Sequence, residues 1–208
     1  NGMNEKISRE MMEFIKSHPS SFHVADGLAQ ILSDNGFERL YENEKWKLQK
    51  GRDYYVMRNG SSLIAFRIPE GEVHNFQMVA SHSDSPSFKI KENPEMVENG
   101  YVKLNVELYG GALLAPWFDR PLSVAGRLIV KENGEIREKL VTVEQDMLMI
   151  PNLAIHMNRE ANSGYKYNVQ KDMLPVYGLE SAKGSFFKVV AEAAGTYAHS
   201  YLSGNRYR

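Results

Sequence analysis

The sequence has 208 residues, of which 42% are apolar and 25% charged. That supports one sizeable domain or two small ones, burying roughly 70% of the unfolded surface, and excludes wholesale disorder. Lys and Arg total 25 against 26 Asp and Glu, a formal charge of −1, so a general nucleic-acid binder with its basic excess is not expected. Cysteine is absent, which excludes disulfides, thiolate metal sites and cysteine nucleophiles and leaves His, Asp and Glu to hold any metal.

No apolar run approaches the length of a membrane span, so no membrane partner is expected. Asn1-Gly2-Met3 is followed at once by charge, unlike a signal peptide. Asn1 and Gly2 read as a tag-cleavage remnant ahead of a natural start at Met3. A cytoplasmic location is the expectation.

The first helix is expected over 5–17, where Ile7, Met11, Phe14 and Ile15 recur on one face, and His18-Pro19 stops it. A second helix follows from Phe22 to Asn35. Ser20 or Ser21 is its N-cap, Val24, Leu28, Ile31 and Leu32 its apolar face, and Gly36 its C′ residue. Tyr54–Arg58 and Ser62–Ile68 read as strands joined at Asn59-Gly60, a strong hairpin signal. Residues 76–81, Phe-Gln-Met-Val-Ala-Ser, read as a strand buried on both faces. It runs directly into His82-Ser83-Asp84. The opening of the chain therefore reads as an α/β domain.

Composition changes at Glu92-Asn93-Pro94, taken as a domain boundary. Beyond it Val102, Leu104, Val106 and Leu108 alternate with polar residues as a half-buried strand. Residues 124–131 and 136–143 form a second hairpin about Asn133-Gly134. Short apolar runs flank Pro151, residues 158–172 read as a polar loop, and 183–194 as a last helix through Phe186, Phe187, Val190 and Ala194.

Three groups could carry chemistry. His82 sits at the expected C-terminal end of a buried strand, where ligands bind in open α/β sheets. One ring nitrogen could meet a metal while Asp84 accepts the other N–H; the plainer reading is a solvated turn. Trp117-Phe118-Asp119-Arg120 reads as an aromatic cover of a core edge with an Asp-Arg pair beside it, or else as an Arg/Asp site or an interface anchor. His156, after Pro151–Ile155, reads as a core or boundary histidine. The sequence has no H-E-x-x-H, G-x-S-x-G, G-x-x-x-x-G-K or G-x-G-x-x-G motif, and no Glu-Glu pair.

Several stretches, in order, carry a resemblance. They are Ser20–His23, Gly36–Leu40, Arg58–Phe66, Ala80-Ser81-His82-Ser83-Asp84-Ser85-Pro86, Tyr109-Gly110-Gly111, Trp117–Arg127 and Ile150–His156. From about Ile7 to Ala194 the chain resembles the N-terminal half of the aspartyl aminopeptidase family of zinc metallopeptidases.

The resemblance implies an α/β peptidase domain with an inserted, mainly β dimerisation domain. The expected division is 1–92 for the peptidase part, 93–180 for the insertion, and 181–208 for a returning helix and an atypical tail. It implies two zinc ions per complete site, with cobalt or manganese as substitutes, and a peptide substrate trimmed from its N-terminus, at acidic residues in many members. It implies homodimers that build a dodecamer. His82 matches a metal ligand and Asp84 the carboxylate that orients it. His156 matches a histidine that reaches a neighbouring subunit's active site. Trp117, Asp119 and Arg120 fall in the insertion, with a structural or interface role. The family's other ligands and its Glu-Glu pair match nothing here, so this chain is expected to be weak or inactive alone. The alternative is a non-catalytic oligomerisation or interaction module.

Overall fold

Three Asn-Gly pairs reverse the chain. Asn59, Asn99 and Asn133 each take φ 52°, and Gly60, Gly100 and Gly134 follow at 65°, 79° and 85°. Two successive positive φ values are the type I′ pattern, whose twist matches that of paired strands. The computed structural model describes residues 2–196. They are a mixture of helix and strand, divided into two units, Asn1–Ser85 and Pro86–Arg208.

In the first unit, helix α1 spans Gly2–Ser17 and α2 spans Ser21–Asp34. The Ser20 side chain caps α2 by accepting the His23 N–H. At the other end the Gly36 N–H donates to Ser33 O and the Phe37 N–H to Leu32 O, both at 3.0 Å. With Gly36 at φ 83° this is a Schellman close. Strands β1 (Glu38–Leu40), β2 (Asp53–Arg58) and β3 (Ser62–Arg67) form a sheet in that order. β1 lies parallel and β3 antiparallel to β2. The short β1 has no counterpart in the sequence reading.

The face of α2 differs from expectation. Phe22, Ala25 and Ala29 are buried, whereas Leu28 and Ile31 are exposed. Two stripes share the helical period, and the one with alanines lets α2 approach β2 and β3 closely; Ser33 Oγ and Tyr55 Oη then meet at 2.9 Å. α1 is helical as its pattern predicts, yet none of its residues is buried.

The expected strand at 76–81 does not form. Residues 72–86 carry no regular structure, and Phe76, Met78 and Val79 are 82%, 86% and 97% exposed. A strand needs a neighbour for its N–H and C=O groups. No described strand pairs with this segment.

In the second unit β4 (Ser87–Glu98), β5 (Tyr101–Tyr109) and β8 (Val176–Leu179) form one sheet, and β6 (Ala125–Glu132) pairs with β7 (Glu135–Thr142). β4 runs straight through Glu92-Asn93-Pro94. Its register against β5 shifts between Ile90 and Glu95, so the proline falls in an irregularity where its missing N–H costs no ladder bond. β5 alternates as its sequence predicts, with Val102, Leu104 and Val106 buried. Helix α3 (Val169–Asp172) is a single turn inside the polar loop, and α4 spans Phe186–Ala193. Phe186 and Val190 of α4 complete a core with Leu104, Leu128, Val130, Val141 and Leu148. The expected tail beyond Thr196 lies outside the described residues.

Candidate functional site

Ser83 Oγ donates to Ser61 O at 3.0 Å, which ties the irregular segment to the β2–β3 hairpin beside His82. The His82 ring then folds back on its own chain. Nδ1 lies 2.8 Å from Asp84 O and 3.0 Å from Asp84 Oδ1. Both partners are acceptors, so Nδ1 carries the proton and donates it. In the neutral ring Nε2 then keeps its lone pair, the arrangement of a metal-ligating imidazole held by a carboxylate. The ring is 81% exposed. Among the described residues no group of three or more His, Asp or Glu stands close enough to hold an ion. His82 with Asp84 thus fits one ligand and its orienting group, and zinc requires further donors.

His156 lies in the second unit. After Pro151–Ala154 the chain makes a tight turn in which Ala154 O accepts the N–H groups of Met157 at 2.8 Å and Asn158 at 3.2 Å. His156 is exposed within that turn.

Trp117, Asp119 and Arg120 run alongside the strand-like segment that leads to this turn. Phe118 bridges Ile150 in parallel and Leu122 bridges Leu148 antiparallel. Trp117 meets Phe88 edge-on at 5.0 Å, and Arg120 Nη1 donates to Pro116 O at 3.2 Å. Asp119 is left-handed, φ 54°. Its N–H donates to Ile150 O and its carboxylate accepts the Asn152 N–H, each at 2.9 Å. Phe118 also packs against Tyr167, the rings tilted by 41° with centroids 4.9 Å apart. Tyr165 packs on Tyr167 and donates to Asp172 Oδ2 at 3.2 Å. Desolvation, then the Asp172 charge, holds the Tyr165 hydroxyl above its ordinary value.

The structure therefore brings together His82 with Asp84, and Asp119 with the segment leading to His156. The sequence reading missed the second pairing. Asp119 and Asn152 are 33 positions apart, and no local pattern links them. The one available hint was chemical, since Asp is among the few residues that tolerate the left-handed region.

The family model described as "Aminopeptidase I zinc metalloprotease (M18)" matches residues 14–200. The chain belongs to the M18 family. The "Probable M18 family aminopeptidase 2" of Clostridium acetobutylicum is 45% identical over 199 residues, covering 91% of this chain and 46% of the relative. The solved structure of Chaetomium thermophilum mApe1 matches with TM-score 0.84 and 32% identity, over 96% of this chain and 49% of that one. The S. cerevisiae mApe1 dodecamer matches with TM-score 0.76 and 26% identity, over 97% and 47%. The M18 chain spans about half the length of the curated relatives it matches.

Proposed function

We propose that this M18 chain contributes the N-terminal half of a zinc-dependent aminopeptidase that releases N-terminal residues, acidic ones among them, from peptides. His82 holds a metal through Nε2. Asp84 keeps Nδ1 protonated and the ring in one orientation, and segments beyond these residues supply the other ligands. Bound zinc would polarise the scissile carbonyl and acidify a water. His156 serves the active site of a neighbouring subunit, donating a hydrogen bond to the developing oxyanion. The β-rich part of the second unit acts as the dimerisation insertion, and assembly is toward a dodecamer like the one named for S. cerevisiae mApe1.

The observation that carries this reading is the His82–Asp84 geometry in a chain matched over most of its length by a zinc metalloprotease family. The test is a chimera in which residues 14–196 replace the matching segment of the Clostridium acetobutylicum relative. It is assayed with aspartyl and leucyl p-nitroanilides in the presence of zinc. Release of p-nitroaniline that disappears with His82→Ala is expected. A chimera that assembles to its parent's size yet is inert overturns the reading.

The self-contained core of the second unit favours a second role for the chain by itself, as a non-catalytic oligomerisation module. Sedimentation of the purified chain at micromolar concentration tests it, and a strict monomer rules against it.

A further inference from the structure

We propose that Asp119 is a positioning residue for the loop Asn152–Asn158, fixing where His156 is presented; its effect on turnover rests on the reading that His156 acts on substrate. Strand-like pairing of the segment 147–150 ends where Phe118 bridges Ile150. Beyond Ile150 the chain has no ladder to follow. Pro151 has no N–H, and the next two amides are met by side chains. Asn152 donates to Asp119 Oδ1 at 2.9 Å, and Leu153 donates to Asn152 Oδ1 at 2.9 Å. Ala154 O then closes the turn that contains His156. Among the described residues, the hydrogen bond that ties the start of this loop to another segment is the one to the Asp119 carboxylate.

That carboxylate is held from behind. The Asp119 N–H donates to Ile150 O, so the same residue grips the segment on both sides of Pro151. The grip needs two properties at once: a backbone that accepts φ 54° and a short side chain with an acceptor oxygen. Asp and Asn have both, Gly has only the first, and Ala has neither. A cover for Trp117 or a surface ion pair would not sort substitutions in that order.

Hydrogen exchange on the 15N-labelled chain reads the grip directly. The Asn152 amide should exchange about tenfold faster in Asp119→Gly and Asp119→Ala, and within about threefold of wild type in Asp119→Asn. The Val130 and Val141 amides report whether the core is intact, and if Asp119→Ala fails to fold, Asp119→Gly decides alone. Unchanged exchange at Asn152 in Asp119→Gly, or equal acceleration in Asp119→Asn, overturns the proposal. Activity separates the two readings. In the chimera, Asp119→Gly should lower kcat by about tenfold or more, Asp119→Asn should restore it, and adding Asp119→Gly to His156→Ala should cost nothing further. If His156→Ala leaves kcat unchanged while the exchange pattern holds, the role of His156 fails and the positioning by Asp119 stands.

Discussion

The carboxylate of Glu95 accepts the backbone N–H of Phe186 at 2.9 Å, although 91 positions separate them. It also accepts from the Gly184 N–H. α4 needs this, because Ser185 at its N-cap position makes no side-chain capping bond and the first N–H groups of a helix have no partner within it. A negative charge there also complements the helix dipole. Glu95→Ala is expected to lower stability by about 1–2 kcal/mol, and Glu95→Gln by less, because an acceptor oxygen remains. Urea unfolding followed by Phe and Trp fluorescence measures both. Equal stability of Glu95→Ala and wild type would remove Glu95 from the account of how α4 is held.

His23 gives the first unit a pH dependence. Burial, and then the nearby His18 charge, hold its imidazolium below the ordinary value of 6.5, with Asp26 opposing. The unfolded chain takes up the proton more readily than the folded one, so stability falls as pH drops through and below about 6.5. Melting temperature should decline between pH 7.5 and pH 5, and His23→Gln should flatten that decline. A slope that is the same in both proteins would place the titrating group elsewhere.

Asp84 fixes the tautomer of His82 in the proposed site. In the chimera, Asp84→Ala should weaken zinc binding by about 10–100-fold, read by competition with a fluorescent chelator. Asp84→Asn should fall between, since its Oδ1 can still accept from Nδ1 while the charge is gone. Undiminished affinity in Asp84→Ala would show that the backbone oxygen of residue 84 suffices to orient the ring.

The segment around Val79 has an expected signature in solution. Phe76, Met78 and Val79 are nearly fully exposed, and an unpaired apolar strand sequence recruits other strands. The chain should bind anilinonaphthalene sulfonate and associate with rising concentration. Val79→Lys should reduce both effects with little change in the exchange protection of Val130. Dye binding that is insensitive to Val79→Lys would shift attention to the exposed apolar face of α1.

Where local chemistry decides the conformation, the residues were legible. Ser20 and Gly36 bracket α2 as read, and Asn59-Gly60 and Asn133-Gly134 turn the hairpins as read. The alternation of Val102, Leu104 and Val106 marked β5. Where a partner decides, the reading failed. Residues 76–81 have strand composition, but pairing is a property of two segments. The α2 face turned on the size of Ala25 and Ala29 against the sheet, which hydrophobicity alone ranks below Leu28 and Ile31. β4 was hidden by Pro94, although Asn99-Gly100 offered the same turn signal as the two pairs that were read. In the candidate site, His82 and Asp84 are two positions apart and their contact was foreseeable. The bond from Asn152 to Asp119 was not, because it depends on how two distant segments lie side by side.

Pro94 has a consequence beyond the register shift. Among the described strands β4 pairs only with β5, so it is a sheet edge and its outer row of amides is a template for foreign chains. A buried proline inside a bulge interrupts that row midway along a strand of 12 residues. The longest strand of the second unit is thereby made a poor docking rail, a protection that the open segment 76–81 lacks.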